Sequence, residues 1–380
     1  MAAFALPATE RVFSGDDAVS GLSSELERLD RSRVLVLSTP SLQDTRAESL
    51  VVQAIGDACV SVSRGAAQHV PLAAVDALIE LGSRVAPDAI VTVGGGSVTD
   101  AAKALAAALA DGCTDAGQLR RMRIVFEYPD SLQMPSLGAD PVPLLSVPTT
   151  LSAAEYDGIF GMTCDGTKDL YSDRRLTPRS VFLDPRVTHE TPRDLWRASG
   201  IRALDHAIEI YLSKAPTPIT DAASLHALRL LVGHLAGDDD ASRLACLQAA
   251  WLSMIGVENV TLGLSHGIGH QIGARCGVPH GVTSCVMLPT VLERMVEVMP
   301  ARLADIATIL AGEAADAARA PELVRTFIAR LGLPTRLGEV GVREDDFELI
   351  AEDAMHDFVV AFSPVSVNRE DVIELLVRAG

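Results

Sequence analysis

Short apolar runs alternate with longer amphipathic stretches through the first half of the chain. Residues 33–37 (RVLVL), 59–63, 88–93 (DAIVTV), 143–147 and 181–183 read as strands. Each is a brief, nearly unbroken aliphatic run bounded by turn formers, as a strand covered on both faces requires. Residues 46–56, 71–85 and 98–110 space their apolar positions at the helical period, with Pro71 suited to a first turn. Strands and helices in alternation predict a parallel, doubly wound sheet. Past Asp184-Pro185 the strand pattern stops, and residues 194–212, 219–235, 241–262, 286–297 and 321–331 carry helical spacing. The prediction is an α/β domain over residues 1–186 and an all-α domain over 187–380. No repeat or low-complexity linker separates them, so they are expected to pack tightly.

Composition narrows the class. The chain has 380 residues, 48% apolar and 22% charged, which suits a globular protein able to bury a core without disulfides. Thirty-two basic residues against 50 acidic ones leave a net charge of −18, which argues against a nucleic-acid partner. Lysine occurs only at Lys103, Lys168 and Lys214, a bias we ascribe to codon usage because planar recognition cannot need every arginine. The six cysteines are scattered without a CxxC pair, as expected of reduced thiols in a cytoplasmic protein. The opening MAAFALPATERVF lacks the basic and apolar regions of a signal peptide, and no run approaches the ~18 apolar residues of a membrane span. The acidic run GDDD at 237–240 reads as a solvated loop.

Chemistry enters at a glycine turn. Gly94-Gly95-Gly96-Ser97 follows a strand and opens a helix. Only glycine lets backbone approach a pyrophosphate closely, and a helix N-terminus offers free N–H groups. The run is GGGSVTD rather than GxGxxG, so a tight turn without ligand is the alternative. Asp100 is either a dipole partner of that helix or a cofactor contact.

Four histidines form the second feature. His266 and His270 stand four apart and share a helix face, His280 follows Pro279, and His206 lies in the helical run ALDHAIE at 203–209. Imidazoles converging on one point would bind a transition metal or polarise a substrate oxygen.

These residues resemble the iron-containing alcohol dehydrogenase superfamily, which also holds glycerol dehydrogenase and maleylacetate reductase. The resemblance covers nearly the whole chain. It rests on GGGS with Asp100 and Lys103, on Pro148-Thr149-Thr150, on Asp184-Pro185, on ALDHAIE and on the HGxxH…PHG run. It implies an N-terminal domain binding NAD(H) or NADP(H), a helical C-terminal domain, a reaction cleft between them and a homodimer. It also implies that His206, His266 and His280 stand at iron or zinc ligand positions, with His270 beside the nicotinamide. Cofactor contacts would come from Thr39, Gly94, Gly95, Gly96, Ser97, Asp100, Thr149 and Thr150.

One position departs from the metal-dependent pattern. The family's fourth ligand is an aspartate four residues before the first histidine, and Arg202 stands there. A unit charge facing a divalent ion at ~4 Å costs on the order of 8 kcal/mol at an effective dielectric near 20. That rivals the roughly 10–16 kcal/mol of a good structural zinc site. An inward Arg202 therefore predicts weak or no metal, whereas an Arg202 swung onto Asp205 would leave three histidines free to ligate.

Other segments resemble the maleylacetate reductase branch: PTTLSAAE at 148–155, IFGMT at 159–163, LSTP at 37–40 and QHVP at 68–71. That branch has asparagine at the position of Arg202. Thr39 stands where metal-dependent relatives carry an aspartate, so NADH and NADPH should both be accepted. His69 reads equally well as a surface residue.

The expected reaction is NAD(P)H-dependent reduction of a small, carboxylate-bearing carbonyl or enone. Arg202 would take the ion's place, His206, His266 and His280 would donate hydrogen bonds, and His270 would relay a proton. Glu155 and Tyr156 lie after the Thr-Thr turn as cleft candidates, Tyr156 equally as packing. A metal-dependent alcohol dehydrogenase and a lyase or cyclase resembling dehydroquinate synthase are the alternatives.

Overall fold

The computed structural model describes residues 4–127, 131–164 and 167–380. Its first half contains β1 (Arg11–Ser14), α1 (Leu22–Arg28), β2 (Val34–Leu37), α2 (Arg46–Ile55), β3 (Cys59–Ser63), α3 (Leu72–Val85), β4 (Ala89–Gly94) and α4 (Gly96–Ala110). These are followed by β5 (Val125–Glu127), β6 (Ser131–Gln133), β7 (Leu144–Pro148), β8 (Ile159–Cys164), β9 (Thr167–Ser172) and β10 (Ser180–Leu183). Six strands form one sheet in the order β1-β10-β7-β4-β2-β3, every pair parallel. Strands β2, β4, β7 and β10 are buried along their whole length, which is why they read as unbroken apolar runs. The edge strand β1 escapes the pattern because its outer residues are exposed. So do the antiparallel pairs β5–β6 and β8–β9, which lie outside the main sheet.

The strand order reverses between β2 and β4: the chain steps outward from β2 to β3 and then crosses back. Carboxyl ends of strands at such a reversal leave a crevice, the standard ligand position of open α/β sheets. Thr39 and the glycine turn flank it.

The second half is helical: α5 (Arg193–Tyr211), α6 (Pro218–His234), α7 (Asp240–Met254), α8 (Leu264–Cys276), α9 (His280–Met295), α10 (Pro300–Ala311), α11 (Ala320–Arg330), α12 (Glu344–Ala354), α13 (Phe358–Ala361) and α14 (Arg369–Ala379). Helix α5 is buried continuously from Ala198 to its end and packs on α6, α7 and α9. Tyr156, Val181 and Leu183 share its core with Trp196, Ile201 and Leu204, so the two halves pack as one. Tyr156 is accordingly a core residue rather than a cleft residue.

Several boundaries differ from expectation. The helix expected over 241–262 ends at Met254, and Gly256 lies so close to α6 that a Cβ there would fall 2.2 Å from Thr220 Cγ2. Helix α9 begins at His280, six residues before the expected start at 286, because Pro279 caps it. Pro71 is likewise the cap of α3 rather than its first residue. The GDDD run is more than a solvated loop. Asp239 accepts the Ser242 N–H and caps α7, Asp238 pairs with Arg193 at 2.8 Å, and Asp240 pairs with His189. All six cysteines are free thiols, and no described helix is long and apolar enough to cross a membrane.

Asp184, fully buried after β10, ties the N-terminal segment to the sheet. Its carboxylate accepts the Val19 and Arg186 backbone N–H groups and two Arg186 side-chain N–H groups. Burial pushes its pKa up, but Arg186 and the two N–H groups outweigh burial and hold it below the usual carboxylate value. A lowered folded pKa contributes stability above the unfolded value that is lost as pH falls through the folded one. Asp184→Asn should cost about 2–4 kcal/mol in urea unfolding at pH 7. The gap to wild type should narrow below roughly pH 4.

Candidate active site

The glycine turn is built for close approach. Gly94 has φ +153°, and a Cβ there would meet Val98 Cγ2 at 2.5 Å; at Gly95 a Cβ would fall 2.8 Å from Thr150 Oγ1. Gly95 caps α4 without any side-chain cap, so the N–H groups of Gly96 and Ser97 stay open to a ligand, while those of Val98 and Thr99 donate to Gly95 O. The Thr149-Thr150 turn packs over it: the Thr149 N–H donates to Gly94 O at 3.0 Å, and its carbonyl accepts from Thr191 Oγ1 at 2.7 Å. Thr39 lies two residues past β2 across the crevice, its hydroxyl 2.9 Å from Ser41 Oγ. Asp100 accepts the Gly161 N–H at 3.2 Å, and burial pushes its carboxyl pKa up. Lys103 spends its three donors on Ala154 O, Asp157 Oδ1 and Ile159 O, so it fastens the start of β8. Glu155 is buried behind the same turn, and burial raises its pKa to about 7.

Opposite this turn, α5 presents Arg202, Asp205, His206 and Glu209 at spacings of three and four, which align on a helix. Helix α8 supplies His266 and His270, and α9 supplies His280 and Ser284. The His206 and His266 rings stack at 4.7 Å, while His270 meets His280 edge-on at 5.9 Å. The described residues do not bring His206, His266 and His280 into one coordination sphere. Among the described residues, the set of three ligand-type atoms lying within 4.8 Å of one another comes from Asp205, Glu209 and His266.

That set is internally bonded. His266 Nδ1 donates to Glu209 Oε2 at 2.6 Å, and Glu209 also accepts the Gly263 and Ser265 N–H groups. Asp205 accepts from Ser265 Oγ at 2.7 Å. Burial raises Asp205 to about 6 although Arg202 and its serine hydrogen bonds pull it down, and burial together with the Asp205 charge raises Glu209 well above the usual range. With Nδ1–H committed to Glu209, His266 Nε2 is a lone pair, buried and without a partner. His206 Nδ1 and His280 Nδ1 are buried without partners as well.

Arg202 is buried and does not pair directly with Asp205. Its Nη1 donates to Ser284 Oγ at 3.2 Å. Burial draws its pKa down, Asp205 and Glu209 oppose that, and guanidinium stays charged. Burial and Arg202 hold His206 and His266 neutral; for His280 the main cause is Lys168.

Two contributors carried no sequence signal beyond rarity or position. Lys168, one of three lysines, reaches from β9 to place Nζ 2.8 Å from His280 Nε2. Gly161 makes the passage, since a Cβ there would lie 2.0 Å from Lys168 Cε. Asp357, just before α13, accepts from His270 Nδ1 at 2.8 Å and from Gln271 Nε2 at 3.2 Å. It lies 87 residues from His270, beyond any motif.

Comparison with known proteins bears on the fold and the family. Residues 9–185 match the family described as iron-containing alcohol dehydrogenase, and residues 197–380 match its C-terminal counterpart. The chain is 29% identical to maleylacetate reductase of Rhizobium sp. (strain MTP-10005) over 98% of this chain and 96% of that one. It is 28% identical to NAD-dependent methanol dehydrogenase of Bacillus methanolicus, over 96% and 97%. The iron-containing alcohol dehydrogenase of Thermococcus thioreducens superposes with a TM-score of 0.87 at 29% identity, over 99% of both chains. These matches across the chain's length establish one conclusion: the protein belongs to the iron-containing alcohol dehydrogenase family and is an oxidoreductase of that family.

Proposed function

We propose that this protein is an NAD(P)H-dependent reductase of a small carbonyl or enone substrate bearing a carboxylate, working with Arg202 where relatives place a metal. The carrying observation is the buried Arg202 guanidinium at the fourth ligand position, bonded to Ser284 and facing the histidine cluster. The donor set does not fit a divalent ion. Arg202 offers hydrogens rather than lone pairs and sets a positive charge at the site, and Lys168 engages His280 Nε2. In the Asp205–Glu209–His266 set both Glu209 oxygens, Asp205 Oδ2 and His266 Nδ1 are held by hydrogen bonds, which leaves Asp205 Oδ1 and His266 Nε2 without partners.

The open turn at Gly94, Gly95, Gly96 and Ser97 fits a pyrophosphate, with Thr39, Asp100, Thr149 and Thr150 around it. A reduced nicotinamide bound there would supply the hydride. The chain's own task is to stabilise the negative charge that grows on the substrate oxygen. Arg202 is a fixed cation in a largely desolvated site, and Lys168, whose pKa burial lowers while Asp100 and Asp357 support its charge, is a second; such stabilisation is strongest there. Arg202 also suits bidentate binding of a carboxylate. His206 and His280, held neutral, orient the substrate by hydrogen bonding. His270 relays the proton through Nε2, because Asp357 holds Nδ1–H and gives the imidazolium a counter-charge. Thr39 places no carboxylate against a 2′-phosphate, which supports use of both nucleotides.

The test is NADH oxidation with maleylacetate by protein dialysed against a chelator. Turnover without metal, and within about tenfold for NADPH, is expected. Activity that returns only with added zinc or iron would instead assign a metal-dependent alcohol dehydrogenase. Substrate conversion without net NADH oxidation would point to a lyase or cyclase.

A further inference from the structure

The loop between β3 and α3 carries an unusual backbone. His69 and Val70 lie in succession at φ +61° and +49°, the left-handed region that a β-branched residue such as Val70 rarely enters. Such a conformation persists only where its surroundings over-determine it. Here they do. The Val70 side chain is buried in the core beside Val75 and Leu78. His69 O accepts from Thr163 Oγ1 at 2.8 Å, and Val70 O accepts the Thr163 N–H at 3.1 Å. Thr163 in turn pairs with Lys168 across β8 and β9. One residue thus fixes both the His69 loop and the strand that delivers Lys168.

The strained loop delivers an imidazole to the cleft. The His69 ring stands edge-on to His280 at 5.8 Å, and its Nε2 is buried without a hydrogen-bond partner. A buried, unpartnered polar atom is costly to keep, and a left-handed valine beside it adds to the cost. Packing alone would be met by an apolar side chain in ordinary backbone. Burial and Lys168 keep His69 neutral. As the Nε2–H tautomer it is a hydrogen-bond donor beside the Lys168 ammonium, an arrangement that selects an anionic oxygen over a neutral one.

We propose that His69 is a specificity-determining residue that donates from Nε2 to a substrate carboxylate. This rests on the reading of the cleft as a reductase for a carboxylate-bearing substrate. It adds a contact from the nucleotide-binding half, facing the helical histidines.

The test measures binding of maleate, a dicarboxylate probe, by calorimetry with NAD⁺ saturating, beside steady-state kinetics. His69→Asn keeps a residue that tolerates positive φ but is too short to reach the Nε2 position. It should weaken maleate binding at least tenfold and raise KM for maleylacetate more than it lowers kcat. His69→Gln, whose amide nitrogen falls near the lost Nε2, should recover much of the binding. Gln68→Ala, at an exposed neighbouring position, should bind as wild type does. Thermal melting of His69→Asn within a few degrees of wild type would separate contact from support. The proposal is overturned if His69→Asn binds maleate as wild type does, if its loss matches a collapse in melting temperature, or if wild type binds no maleate. Maleate binding that depends on His69, in a protein that reduces no carbonyl, would sink the reductase reading and leave this contact standing.

Discussion

Arg202→Ala lowers kcat/KM for a carbonyl substrate by about two to three orders of magnitude, the usual loss when one preorganised donor to a developing oxyanion is removed. The fold should survive. Asp205 and Glu209 keep their bonds to Ser265, Gly263 and His266, and their raised pKa values let the pair retain a proton once the guanidinium is gone. Circular dichroism and melting temperature should therefore stay close to wild type while turnover collapses. Added guanidinium ion should restore part of the activity, because the buried space beside Ser284 is left without its cation. Arg202→Lys should recover less than a full charge replacement suggests, since ammonium lacks the planar fork. Full turnover by Arg202→Ala would refute the role assigned to this side chain.

Gly161→Ala should also inactivate, by about tenfold to a hundredfold, by displacing the Lys168 ammonium from the site. Its Cβ would fall 2.0 Å from Lys168 Cε, and the flexible end of that side chain must give way. Nζ then leaves His280 Nε2, breaking a charge-assisted hydrogen bond of the order of 1.5–3 kcal/mol. Lys168→Met removes the same bond directly and should give the same kinetic loss. The two substitutions share one partner, so the double variant should fall little further than either single one. Additive losses would show that Gly161 acts through something other than Lys168, such as the N–H it gives to Asp100.

Much of the fold was legible in the chain. The parallel strands β2, β4, β7 and β10 are buried on both faces, so they had to be continuous aliphatic runs, and the glycines after β4 were forced by steric contact with Val98 and Thr150. Local patterns of this kind report directly on burial and close approach. The hairpin of β8 and β9 was not legible, because its strands pair with each other rather than with the main sheet and alternate less cleanly. The end of α7 and the start of α9 were misread for a related reason. Gly256 and Pro279 act through neighbours distant in sequence or through the cap they form.

The site divides along the same line. Sequence spacing by itself determined that Arg202, Asp205, His206 and Glu209 align on one helix and that His266 and His270 share another, while the family resemblance implied that Arg202 stands at a carboxylate position. Helical periodicity is a property of the local chain, so residue numbers suffice. Only the tertiary structure decided that Arg202 bonds Ser284 instead of Asp205, that Glu209 fixes the His266 tautomer, and that Lys168 and His69 converge on His280 from the other half. Those choices depend on side-chain direction, desolvation and contacts closed across long stretches of chain, and no local pattern encodes them.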